Sequence, residues 1–157
     1  MRKAFISILL LGIVTVAVVA NTFQRTPNQD EQQLREIESR TAKGEQQSDV
    51  SMMSLFAGDF VFSGKRVLSK QQVEENLKNN FAAHDNGPSP YTIEKKNMEV
   101  YLFGDTAVVT YVKEYRQIPD TTKFFDEDDT DVFKRGSKGW LLQFSKSSPV
   151  VANTPAS

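Results

Sequence analysis

Residues 49–64, DVSMMSLFAGDFVFSG, decide how this chain is read. Asp49 is placed to cap a short helix over 50–57, in which Met52, Met53, Leu55 and Phe56 are apolar. Phe60-Val61-Phe62 follows as a strand, turned at Ser63-Gly64-Lys65 and returned by Arg66-Val67-Leu68. A short helix that runs straight into an aromatic strand needs a sheet to receive it.

Upstream, Asp30 can cap a polar helix reaching about Gln47, with Leu34, Ile37 and Thr41 on one face. That stripe is thin, so the helix must lean on something other than apolar contact. Downstream, Ser69 with Gln72 three residues later is a capping box. It opens a helix with Val73, Leu77 and Phe81 at four-residue spacing, and the loop 85–90 follows.

From there the chain alternates as strands. Residues 91–103 and 106–117 flank Gly104-Asp105, a two-residue hairpin signal. Residues 131–135 and 140–146 flank Gly136-Ser137-Lys138-Gly139. Helices first and a meander of strands second means α+β, a curved, mainly antiparallel sheet wrapped around N-terminal helices.

The N-terminus reads as a targeting segment. Arg2 and Lys3 precede an uncharged run from Ala4 to Ala20, interrupted only by Ser7, Gly12 and Thr15. Small residues at Val18 and Ala20 suit cleavage after Ala20, so residues 1–20 are expected to be a signal peptide and the protein secreted or periplasmic. The alternative is an anchor through residues 4–20, although that run spans about 26 Å as a helix against a hydrocarbon core of about 30 Å. Residues 21–29 read as a tether, 30–148 as the domain and 149–157 as a flexible tail.

Composition narrows the chemistry. Nineteen Lys and Arg against 20 Asp and Glu give a net charge of −1, with no basic footprint for nucleic acid. Without cysteine there are no disulfides and no thiolate sites, and His84 alone cannot build a multi-histidine metal centre. No cofactor and no metal is expected. The acidic run 126–129 fails the calcium-loop pattern, since Asp131 stands where glycine belongs and Ser137 where glutamate belongs, and it reads as a solvated loop.

Four pieces in order carry a resemblance: Leu55-Phe56-Ala57 with Asp59, the run 104–110, Asp131-Val132-Phe133-Lys134-Arg135, and Gly139-Trp140-Leu141-Leu142. Together they resemble the SnoaL-like and ketosteroid-isomerase-like cone domains of the nuclear transport factor 2-like superfamily, over residues 30–148. The resemblance implies a cone-shaped sheet with a pocket at one end. It also implies a catalytic base at the position of Gly64 and a tyrosine near Thr41, neither of which this sequence supplies. Only the late aspartate of that family has a counterpart, Asp131, so steroid-isomerase chemistry is not expected.

The remaining candidates are the faces of the strands. Phe60, Phe62, Tyr111, Phe133 and Phe144 are expected to wall a pocket, with Asp131 and Tyr115 as its few polar groups. Such a lining suits a neutral, largely apolar or amphipathic ligand with a hydrogen-bonding end. The expected function is therefore an exported, non-enzymatic cone domain that binds such a ligand or acts as a scaffold. The alternatives are an assembly subunit, or a lyase- or isomerase-type enzyme using Asp131 with Tyr111 or Tyr115. The sheet face not covered by helices, with Val108, Thr110 and Val112, is expected to support a homodimer.

Overall fold

The computed structural model describes residues 27–150. The targeting segment expected over 1–20 lies outside the described residues, as do most of the expected tether and residues 151–157. Helix α1 spans Pro27–Gln46, so the last three residues of the expected tether are helical. Proline tolerates this position because the first turn of a helix has no use for its missing N–H. Asp30 is consequently not a cap. It lies inside the first turn, only 5% exposed, and its carboxylate meets Arg135 and Trp140.

A 3₁₀ helix, Val50–Leu55, follows, and Asp49 caps it as expected by accepting from the Ser51 N–H at 2.9 Å. Gly44 lets α1 approach this helix closely, since a Cβ there would stand 2.7 Å from Met52. Strand β1 (Phe56–Ser63) and the short β2 (Val67–Ser69) lead to α2 (Lys70–Ala82), whose Ser69–Gln72 capping box is complete. Strands β3 (Tyr91–Phe103), β4 (Thr106–Gln117), β5 (Phe124–Gly136) and β6 (Gly139–Pro149) follow. Gly104 turns the first hairpin at φ +64°.

The six strands form one sheet in the order β2-β1-β6-β5-β4-β3. Only β1 and β6 run parallel, so the sheet is mixed and mainly antiparallel. Its concave face receives α1 through Leu34 and Ile37, packed with Phe60, Val109, Phe133 and Leu142. The thin stripe of α1 is supplemented by charge, with Asp30 on Arg135, Glu38 on Lys95 and Glu45 on Lys113. Those acids recur about every two helical turns and so reach the same sheet.

Two expectations fail here. The acidic run 126–129 is not a loop: β5 includes it and is paired with β4 from Arg116–Phe124 to Thr106–Lys134. Ladders on both sides of β5 override the poor strand preference of aspartate. Alternation then turns Glu127 and Asp129 to the concave face with Asp131 and Phe133. Phe144, expected in the pocket wall, does not lie on the inner face with Leu142. Val132 pairs with Phe144 but Phe133 pairs with Leu142, so Gln143 is the extra residue of a bulge. A bulge reverses strand parity, sending Phe144 to the convex face and Ser145 and Ser147 inward.

Candidate functional site

The concave face closes over a cavity of about 270 Å³ between β1, α2, α1 and strands β3–β6. One wall is apolar and comes from Phe56, Phe60 and Phe62 on β1 with Val73 and Leu77 on α2. The four-residue spacing of Val73 and Leu77 brings both to the same face of their helix. Phe56 meets Phe60 edge-on, with centroids 4.7 Å apart, which fixes this wall.

The facing wall is polar, and strand register builds it row by row. Lys113 stands opposite Glu127, Tyr111 opposite Asp129 and then Ser147, and Val109 opposite Asp131 and then Ser145. Tyr111 donates along the diagonal to Asp131 Oδ2 at 2.7 Å. Lys113 Nζ donates to Glu45 Oε2 at 2.5 Å, and the Tyr115 hydroxyl reaches Glu45 Oε1 at 3.2 Å. Tyr115 is held by Phe125, stacked with centroids 4.2 Å apart.

Beneath this wall sits Glu38, wholly buried on α1. Lys95 donates to it and, at 2.9 Å, to Thr41 Oγ1, while its ammonium lies 4.4 Å from the Tyr111 ring centroid. Burial pushes the Glu38 carboxyl up to about 8; Lys95 opposes the rise and the neighbouring Asp131 adds to it. Burial likewise pushes Asp129 up to about 6, against the attraction of Lys113. Tyr111 is raised by burial and then by Asp131. Lys113 is raised in spite of burial because Glu45 holds its charge.

Of the residues expected to form the pocket, Phe60, Phe62, Tyr111, Tyr115 and Asp131 line the cavity. Phe133 does not. It points inward but is fully buried among the core side chains. Phe144 is on the other face. Gly64 lies in the turn between β1 and β2 and offers no side chain, and His84 is exposed beyond α2. Sequence reasoning missed Glu38, Glu45, Lys95, Glu127 and Asp129. For Glu38 a signal existed, since it follows Leu34 by four residues on the apolar stripe.

The buried acid yields a test. Glu38 has a native value near 8 against an ordinary 4.5. Its contribution to stability is complete below pH about 4.5 and is lost as pH rises towards 8, because the unfolded chain releases the proton first. Glu38→Gln should therefore flatten the fall in stability between pH 5 and 8, by a few kcal/mol, roughly the size such a shift implies. Urea denaturation at pH 5, 6.5 and 8 reads this. Parallel curves for the two proteins would mean that Glu38 is ionised throughout.

No family model and no curated protein matches the chain. Solved structures do. A protein of unknown function with a cystatin-like fold from Nostoc punctiforme superposes with a TM-score of 0.68 at 15% identity, covering 79% of this chain and 93% of its own. A nuclear transport factor 2-like protein of unknown function from Pseudomonas putida gives 0.69 at 15% identity, covering 85% and 96%. Another from Rhodospirillum rubrum, described as of unknown function in nutrient uptake, gives 0.61 at 18% identity, covering 75% and 98%. The chain has the nuclear transport factor 2-like, cystatin-like fold.

Proposed function

We propose that this nuclear transport factor 2-like domain works outside the cytoplasm as a non-enzymatic binder of a small amphipathic molecule. The observation that carries the reading is the two-sided cavity, with phenylalanines and leucine on one wall and carboxyls and hydroxyls on the other. Small-molecule sites combine an apolar lining with a few placed polar groups in this way. A ligand would lay its apolar body against Phe56, Phe60 and Leu77 and turn its polar end to Asp129 and Asp131. Export rests on the charge and apolar run of residues 1–20. A binding role in place of catalysis is favoured by Gly64, which cannot accept a proton from a substrate.

N-phenyl-1-naphthylamine, uncharged at neutral pH and fluorescent in apolar surroundings, tests the cavity. The protein should enhance its emission, and Leu77→Trp, which fills the apolar wall from a half-buried position, should abolish the effect. Equal enhancement by both proteins, or none by either, would overturn the reading.

A second role, pairing with another copy, is favoured by the convex face. Tyr101, Val108, Val132, Phe144 and Val61 form one row across five adjacent strands, each paired with the next. A row of that kind is suited to burial against its own copy. Light scattering at micromolar concentration should give twice the monomer mass, and Phe144→Lys should give the monomer. A wild-type monomer removes the idea.

A further inference from the structure

The polar wall is unbalanced in a way that specifies its ligand. Its two lysines are already engaged, Lys95 with Glu38 and Thr41, and Lys113 with Glu45. Of the other lining carboxyls Glu127 is half-buried, whereas Asp129 and Asp131 are only 6% and 2% exposed, and none of the three has an ion pair among the described residues. Among the described residues Asp129 Oδ1, Asp131 Oδ1, Glu38 Oε1 and the Ser147 hydroxyl are buried without a hydrogen-bond partner, and Glu38, beside Asp131, holds a proton that it can share with it. Asp129 and Ser147 are direct neighbours in register, and Asp131 is two residues along the same face. Buried acceptors left unpaired are costly, and a binding site is where such a cost is recovered.

The chemistry of the missing partner follows from what these atoms are. Ionised carboxyls only accept hydrogen bonds, so a ligand carboxylate or phosphate would bring more acceptors and like charge. An alcohol brings one donor and no charge. An ammonium brings up to three donors and a positive charge for a wall on which four carboxyls, Glu45, Glu127, Asp129 and Asp131, face two lysines. A metal ion is a poorer fit, because among the described residues no three acidic groups converge to hold one.

Resting on the ligand-binding reading above, we infer that the polar end of the ligand is a cationic amine, seated between Asp129 and Asp131. The ligand class is a small primary or secondary amine with an apolar body. The raised value of Asp129 agrees, since burial outweighs the attraction of Lys113 and the neighbouring carboxylates Asp131 and Glu127 add to the rise. This departs from the neutral ligand that the sequence suggested, because the sequence placed Asp129 in solvent and left Asp131 as the only carboxyl.

Calorimetry with three probes that share one body tests the inference on the intact protein: 2-phenylethylamine, 2-phenylethanol and 3-phenylpropanoate. The amine should bind at least about tenfold more tightly than the alcohol, as a charge-assisted hydrogen bond to a buried carboxylate warrants. The acid should give no binding heat. Asp129→Asn, which keeps the shape of the side chain, should lower amine affinity about tenfold and leave the alcohol unchanged. Alcohol or acid binding as tightly as the amine overturns the inference and leaves the cavity reading intact. So does failure of all three probes while N-phenyl-1-naphthylamine still binds. If that probe fails as well, the cavity reading falls and the inference falls with it.

Discussion

Replacing Phe133 by alanine is expected to cost about 3–5 kcal/mol of stability, the range for deleting a fully buried ring. The ring is 0% exposed. Its strand neighbours are Ala107 and Leu142, and Ala107 is itself fully buried, so a small side chain there leaves room that the ring fills. Collapse into the void is hindered because β5 is held by ladders on both sides. Urea denaturation measures the loss, and a cost below about 1 kcal/mol would mean that the core repacks freely. Because Phe133 lies outside the cavity wall, any folded fraction of the variant should still enhance the fluorescence of N-phenyl-1-naphthylamine.

Asp30→Ala is expected to cost about 3 kcal/mol, although Asp30 sits near the start of a helix, where most substitutions are mild. Its carboxylate accepts from Trp140 Nε1 at 3.2 Å and pairs with the Arg135 guanidinium, which also lies 4.4 Å from the centre of the Trp140 ring. Removing Asp30 leaves the Arg135 guanidinium with only the exposed Asp105 at 3.5 Å as a counter-charge, and that loss dominates the cost. Removing both charges should be milder. Asp30→Leu combined with Arg135→Met should recover a substantial part of the loss, because no unpaired charge is left behind. If the double variant is as unstable as Asp30→Ala, the pair acts through packing and not through charge.

Local signals in the chain are legible where they are self-contained. Asp49, the Ser69–Gln72 box and Gly104-Asp105 each specify a cap or turn within a few residues, and all three are in place. The face of β4 that carries Tyr111 and Tyr115 followed from simple alternation. What failed depends on partners far along the chain. Residues 126–129 look like a loop by composition, and only pairing with β4 and β6 makes them strand. Gln143 carries no mark of a bulge, yet it reverses the parity of β6 and exchanges Phe144 for Ser145 at the inner face. Glu38 is an ionisable residue on an apolar stripe, and its burial makes sense only once Lys95 arrives from β3 to hydrogen-bond it. The carboxyl-rich wall was thus hidden by one misread segment and two distant ion pairs.

On the reading proposed above, the cavity holds an amphipathic amine between an apolar wall and the carboxyls of β5. A crystal structure of the protein grown with saturating 2-phenylethylamine tests it most directly. The account predicts the ring against Phe56, Phe60 and Leu77, with the nitrogen about 3 Å from oxygens of Asp129 and Asp131. A cavity filled by ordered water, with the amine absent or bound only at the surface, would contradict it.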